Sequence, residues 1–113
     1  MKVIAKGIVA RSTQRRGNYW PSVARLADGR LAAVWSGGRR NHICPFGRLC
    51  ISYSGDEGRH WSPEAILFDT PLDDRDGGIL SWKGRAVVTT FNNTREFQRQ
   101  CLAKWPDNRP AGE

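Results

Sequence analysis

The chain contains 113 residues with a formal net charge of +7, and its 39% hydrophobic and 26% charged residues describe one small folded domain rather than a fibrous or disordered chain. No apolar run approaches the roughly 20 residues of a membrane helix, and residues 1–7 are too short in apolar length for a secretory signal. The sequence therefore predicts neither a membrane protein nor a secreted precursor. For these 113 residues the sequence predicts a cytoplasmic location. The compartment of a longer product is left open.

The positive charge is concentrated in the first half of the chain. Residues 1–60 contain eleven Lys and Arg against three acidic residues, whereas residues 61–113 contain seven against eight. Fourteen of the eighteen cations are arginines, whose planar guanidinium favours forked recognition of planar anions. Such a surface attracts carboxylate sugars, phosphates or nucleic acid. The alternative is that the arginines are solvated surface charge without a ligand.

Short apolar stretches between turn signals predict an antiparallel β-meander. Asp28-Gly29 and Lys83-Gly84 each separate two apolar runs, as in β-hairpins. Arg30 and Arg85 take equivalent positions 55 residues apart, and an internal repeat of this period predicts a propeller blade. A further strand is expected in residues 3–10. The other predicted strands span residues 22–26, 31–35, 48–53, 64–68, 78–82 and 86–91.

The C-terminal tail and the cysteines give weaker signals. Residues 92–113 are polar and contain two prolines, so we expect them to be mostly irregular; the alternative is a short helix around 94–102. Cys44, Cys50 and Cys101 are an odd set without CxxC spacing, which argues against a disulfide framework and a cysteine zinc site. We expect buried thiols, no metal and no cofactor.

The turn between the third and fourth strands of the meander carries the most specific motif. Residues 54–61 match the Asp-box pattern S-x-D-x-G-x-x-W at all four defining positions, Ser54, Asp56, Gly58 and Trp61. The aspartate can accept backbone N–H bonds within its own turn, the glycine can take positive φ, and the tryptophan can pack beneath the hairpin. We expect the Asp-box to be structural.

With this motif the chain resembles the sialidase (BNR/Asp-box) superfamily over roughly residues 17–93, and it looks most like bacterial exo-sialidase-like proteins. Three further segments carry the resemblance: Tyr19 to Ser22, Leu26 to Leu31, and Ser36 to Arg39. Asp69 to Asp76 is similar to the loop that leads such proteins into their second blade. The resemblance implies an all-β fold in which residues 1–113 form a single partial domain of about one and a half four-stranded antiparallel blades of a six-bladed β-propeller. Blade 1 is expected at about 19–68, the start of blade 2 at about 77–91, and an irregular tail at 92–113.

Strand direction sorts the loops of this meander onto two ends. The Asp28-Gly29 turn and the Asp-box share one end. Residues 39–42 and 73–76 converge on the other, with residues 15–18 entering beside them. The resemblance places a sialidase-type substrate site at that second end, among long loops.

The candidate site residues come from these converging loops. Arginines can bind a substrate carboxylate through paired hydrogen bonds, and a histidine or aspartate can act as a general acid or base. Alternatives stay open for each group: Arg75 can simply neutralise its flanking aspartates, His42 can be an ordinary loop histidine, and Arg15 and Arg16 can form a solvated turn. The candidates are His42 and Asp76 for catalysis and Arg39, Arg40, Asp74 and Arg75 for substrate binding.

The chain also departs from the family pattern. Sialidases usually carry a substrate-binding arginine in a (Y/F)-R-I-P motif, where this chain has Tyr19-Trp20-Pro21. The stretch 40–45 contains no carboxylate at the place of the usual acid/base aspartate. The tyrosine nucleophile and its glutamate partner, an exception among glycosidases, come from later blades that have no counterpart in these 113 residues.

Taken together, these observations predict a fragment of a sialidase-like exo-glycoside hydrolase that acts on terminal sialic acid or a related anionic sugar and is inactive alone. The alternative is a non-catalytic glycan-binding or assembly module with a propeller-blade fold. Carbohydrate is the expected partner. Nucleic acid is the least favoured, because the arginines fall at separate turns rather than in one stripe. Open sheet edges also predict self-association.

Overall fold

The computed structural model describes residues 1–13 and 16–109, in which six strands and one helix form. The strands form an antiparallel four-stranded sheet with the order β1-β2-β3-β4 and an antiparallel two-stranded sheet of β5 and β6. The predicted β-rich antiparallel architecture is therefore confirmed. The elements are β1 (Gly17–Arg25), β2 (Leu31–Arg39), β3 (Arg48–Ser54), β4 (Ala65–Phe68), β5 (Asp74–Trp82), β6 (Arg85–Asn92) and α1 (Arg95–Lys104).

Both predicted hairpins are present, and each has the turn chemistry that its sequence requires. In the first, the backbone N–H of Arg30 donates to Oδ1 of Asp28 at 3.0 Å, and Gly29 has a φ of 89°. In the second, Lys83 and Gly84 both have positive φ, at 47° and 75°, as expected for a two-residue turn between twisted strands. Local turn residues therefore account for both strand reversals.

The two sheets pack face to face through an apolar cluster. Ala32, Val34 and Ile51 on the first sheet contact Ile79 on β5, and Val88 of β6 joins them. Gly77 lies where β5 crosses the first sheet, and a Cβ atom built on it would overlap the side chain of Leu49. The packing brings β5 against β1 and β2, so that the loops entering β5 meet the loop that follows β2.

The opposite face of the first sheet is covered by the N-terminal segment. Ala33, Trp35 and Cys50 form a second buried cluster with Val9 and Ala10 packed against it. The expected strand at residues 3–10 is wrong, because this segment lies over a face of the sheet and pairs with no strand edge. Its apolar residues mark a packing segment.

The tail 92–113 is not irregular throughout, because α1 occupies residues 95–104 and realises the helical alternative. The Thr94 side chain caps the helix by accepting the backbone N–H of Phe97 at 3.1 Å. Gln98 Nε2 attaches the helix to the domain by donating to the carbonyls of Pro45 and Pro71. Only Cys101 of the helix is buried. The apolar periodicity that predicts a helix is therefore weak in this segment.

The Asp-box forms a tight turn held by its own side chains. Ser54 Oγ donates to Asp56 Oδ1 at 2.9 Å and accepts the backbone N–H of Gly58 at the same distance, and Asp56 Oδ1 accepts the backbone N–H of His60 at 2.8 Å. Trp61 Nε1 donates to the Gly58 carbonyl, and its ring packs on the second cluster. The hydrogen bonds from His60 hold the pKa of Asp56 at about 2, below its usual 3.8.

The first turn and the Asp-box lie at the same end of the sheet, as predicted. Arg25 reaches across with both terminal nitrogens to the carboxylate of Glu57, at 2.8 and 2.7 Å, and also donates to the carbonyl of Gly29. Both members of the pair are about half exposed. The loops that contain Arg39 and Asp73 meet at the other end of the sheet, where the Asp74 N–H donates to the Gly47 carbonyl at 2.8 Å.

The depressed pKa of Asp56 predicts a pH dependence of stability. Because its folded pKa lies below the unfolded value, its stabilising effect is fully present above pH 4 and is lost as the pH falls toward 2. We expect Asp56→Asn to flatten the fall in unfolding free energy over this range, measured by urea denaturation at pH 2 to 6. Asp69→Asn, an equal charge change outside the turn, is the control, and an identical pH profile for wild type and Asp56→Asn would contradict the assignment.

Candidate functional site

An arginine and an aspartate, both buried, join the two loops at the candidate end. Arg39 is 0% exposed and Asp73 is 1% exposed, and Nη1 of Arg39 lies 2.5 Å from Oδ1 of Asp73 while Nη2 lies 3.2 Å from Oδ2. Nη1 also donates to Ser36 Oγ, and Nη2 donates to the carbonyls of His42 and Cys44. Both terminal nitrogens of Arg39 are thus occupied inside the protein, so the expected ligand contact by Arg39 has no support in this geometry.

The carboxylate of Asp74 is likewise occupied by hydrogen bonds within the protein. Its carboxylate is 0% exposed and accepts hydrogen bonds from the backbone N–H of Thr70 at 2.7 Å, from Thr70 Oγ1 at 3.0 Å and from the side-chain amide of Asn92. These bonds fix the entry into β5 and leave no oxygen at the surface. The expected substrate contact by Asp74 is therefore not supported either.

Trp20 is the residue around which the exposed part of the site is built. Two guanidinium groups lie close to its indole, with the Cζ atom of Arg39 4.9 Å and that of Arg75 4.5 Å from the ring centroid. Trp20 adopts a φ of +52°, which is uncommon for a bulky residue, at an irregularity in the pairing of β1 with β2. The sequence placed Trp20 within the Tyr19–Ser22 segment of the family resemblance and at a departure from the arginine motif, but did not assign it to the site; a tryptophan beside arginine-rich loops was the signal for it.

Arg75 is the candidate whose charge is available to a ligand. Its Nε lies 3.6 Å from Oδ2 of Asp73, and its side chain is 15% exposed. Within residues 1–13 and 16–109, its two terminal nitrogens donate no hydrogen bond, and it forms no ion pair with Asp74 or Asp76. Arg75 is therefore oriented by Asp73 and by the indole of Trp20 and does not serve to neutralise its sequence neighbours.

His42 lies near the aromatic pair, and Asp76 follows Arg75 in the chain. The exposed imidazole of His42 lies 5.1 Å from the ring centroid of Trp20 in an edge-on arrangement, and 6.2 Å from that of Tyr19. Asp76 is exposed, has a φ of +49°, and lies in a bulge of β5 directly after Arg75. Two strands that pack together thus each carry a non-glycine residue with left-handed φ at this end, and the strain is greater at Trp20 because aspartate adopts this conformation more readily than a bulky residue.

The remaining basic candidates lie apart from this cluster. Arg40 lines a separate cleft with the segment that follows α1. Arg16 is exposed, and its backbone pairs with that of Thr13. Arg15 lies outside the described residues.

The three cysteines are shielded from solvent. All three are free and buried, and burial raises the pKa of Cys50 to about 11 and that of Cys101 above its ordinary value. Nor does the described part of the chain bring together three His, Cys, Asp or Glu side chains that could hold a metal ion. The side chains that remain at the candidate site are those of Tyr19, Trp20, His42, Arg75 and Asp76.

Neither the family models nor the curated proteins identify a relative of this chain. In the described residues, no helix has both the length and the apolar character to cross a membrane.

Proposed function

We propose that this chain is part of a sialidase-like β-propeller and that it binds an anionic terminal sugar, such as sialic acid, at the cluster of Tyr19, Trp20, His42, Arg75 and Asp76. The observation that carries the proposal is the Arg75 guanidinium, which is stacked on Trp20 and oriented by a buried carboxylate while its terminal nitrogens remain available. A fixed fork of this kind suits a planar carboxylate.

The fold supports the propeller part of the proposal. A four-stranded antiparallel meander with an Asp-box between its third and fourth strands is followed by a second hairpin of the same kind, stacked on the face of the first sheet. Four-stranded sheets stacked face to face are the arrangement of propeller blades. The loops at 39–42 and 73–76 meet at one end of this stack. By resemblance to the sialidases, this is the end at which a propeller binds its ligand.

The chemistry of the cluster supports a sugar rather than another anion. Tyr19 and Trp20 have ring centroids 5.4 Å apart and supply aromatic surface against which a sugar ring can pack. His42 and Asp76 add exposed polar groups that can exchange hydrogen bonds with hydroxyls. An inorganic anion would need only the arginine.

The alternative is a glycan-binding module without catalysis, and the exposure of His42 and Asp76 favours it. A glycosidase needs a carboxyl group whose environment prepares it as an acid. The buried carboxylates at this end, Asp73 and Asp74, already accept hydrogen bonds from the chain itself. Release of sialic acid by the purified chain would exclude the non-catalytic module.

The proposal is tested by titrating the chain with the methyl glycoside of sialic acid in a calorimeter. We expect Arg75→Gln to weaken binding about tenfold or more, because a hydrogen bond to a charged group contributes about 1.5–3 kcal/mol. Arg59→Gln removes the same charge at the Asp-box end and is the matched control. Equal affinity of the two variants, or no binding by the wild-type chain, would overturn the proposal.

A further inference from the structure

A cleft lies beside the loop that follows β2, away from the cluster around Trp20. Its volume is about 440 Å³, within the range of about 300–1,000 Å³ that is common for small-molecule sites. One wall comes from the loop after β2 and the other from the end of α1 and the segment after it. The lining residues are Arg40, Asn41, Lys104, Trp105, Pro106, Asp107 and Asn108.

The walls of this cleft are fixed by hydrogen bonds. Trp105 caps α1 by donating its backbone N–H to the Cys101 carbonyl at 2.8 Å. Asn108, 3% exposed, donates its backbone N–H to Trp105 and its side-chain amide to the carbonyl of Ile43 at 2.8 Å. The cleft is therefore formed before any ligand enters it.

The lining chemistry combines charge with an aromatic surface. Nζ of Lys104 lies 4.6 Å from the ring centroid of Trp105, so a ligand that contacts this indole also meets the ammonium. Among residues 1–13 and 16–109, neither Arg40 nor Lys104 takes part in an ion pair. Asp107 adds one carboxylate, which can accept hydroxyl protons. Two cations, one acceptor and an indole match a sugar ring that carries both a carboxylate and hydroxyls.

We propose that this cleft is a second subsite for an acidic saccharide, with the carboxylate on Arg40 and Lys104 and the ring against Trp105; the choice of a saccharide rests on the proposed function. The two sites flank one short segment. Arg39 holds the carbonyls of His42 and Cys44 from one side, and Asn108 holds that of Ile43 from the other. One segment thus adjoins both proposed sites.

The test follows the five indole N–H signals in the NMR spectrum of the full chain, with the signals of Trp20 and Trp105 assigned through Trp→Phe variants. The probe is the methyl glycoside of glucuronic acid, and methyl glucoside is its neutral counterpart. We expect the Trp105 signal to shift saturably with the acidic sugar and not with the neutral one. In Lys104→Gln the affinity read at Trp105 falls about tenfold, while Arg109→Gln, an exposed neighbour outside the lining, leaves it unchanged.

The two indole signals separate this inference from the proposed function. A shift at Trp20 without one at Trp105 would overturn the second subsite alone. A shift at Trp105 without one at Trp20 would support this cleft, and no shift at Trp105 would overturn it. The first site is decided separately by the titration with the sialic acid glycoside, because glucuronic acid is a different sugar. A shift at Trp105 that survives both Arg40→Gln and Lys104→Gln would overturn the assigned contacts.

Discussion

Arg39→Met is expected to lower the free energy of unfolding by about 3–5 kcal/mol, because it leaves a buried carboxylate without its main partner. The lost contacts include the ion pair to Asp73 and the hydrogen bonds to three other groups of the same network. A small domain has only about 5–15 kcal/mol of stability, so this variant should be close to unfolding. Denaturation in urea gives the measurement.

Arg25→Met is the matched control for this prediction. Arg25 also binds a carboxylate with two nitrogens, but its pair with Glu57 is about half exposed, so water replaces the lost contact. Arg25→Met should lower the free energy of unfolding far less than Arg39→Met does. If both variants lost the same stability, the burial of Arg39 would not be what makes its pair important. The double variant Arg39→Met with Asp73→Asn should recover part of the loss, because the unpaired charge is then removed.

Gly47→Ala should have the next largest effect, although it adds a single methyl group. A Cβ atom at Gly47 would overlap Nη1 of Arg39 and lie 2.6 Å from Oδ1 of Asp73 and 2.9 Å from Oγ of Ser36. Overpacking of this kind costs about 1–3 kcal/mol, and here it also displaces the ion pair. We expect a loss at the upper end of that range, together with weaker sugar binding because Arg39 supports Trp20.

Gly55→Ala provides the comparison, since a Cβ atom there has nothing within 4 Å. Both glycines have a backbone φ outside the left-handed region, so the two variants differ in space and not in backbone strain. Unchanged stability and sugar binding in Gly47→Ala would contradict the prediction that the space around Gly47 is too small for a methyl group.

Hairpins and the Asp-box were predictable because their conformations depend on neighbouring residues. Asp28-Gly29, Lys83-Gly84 and the four-point motif at 54–61 each contain the residue type that the turn requires, whatever the rest of the fold. The same logic failed for residues 3–10. Their apolar pattern is typical of a strand, but the segment covers Trp35 and its neighbours instead of joining an edge.

The candidate site was less predictable because its organisation depends on contacts between distant parts of the chain. Arginine and aspartate are usually exposed, and nothing local distinguishes the buried Arg39 and Asp74 from the available Arg75. The ion pair that separates their roles joins residues 34 positions apart. Likewise α1 is a polar helix that is held by its Thr94 cap and by the hydrogen bonds of Gln98 to Pro45 and Pro71. Its position therefore depends on the loops that contain these two prolines.

The most direct test of the central proposal compares the affinity of the wild-type chain for the methyl glycoside of sialic acid with its affinity for the carboxyl methyl ester of the same compound. The ester keeps the sugar ring and removes the negative charge. If Arg75 binds the carboxylate beside Trp20, the acid should bind about tenfold more tightly or better, since a charged hydrogen bond contributes about 1.5–3 kcal/mol. Equal affinities, or binding of neither compound, would contradict the proposal that this end of the fold recognises an anionic sugar.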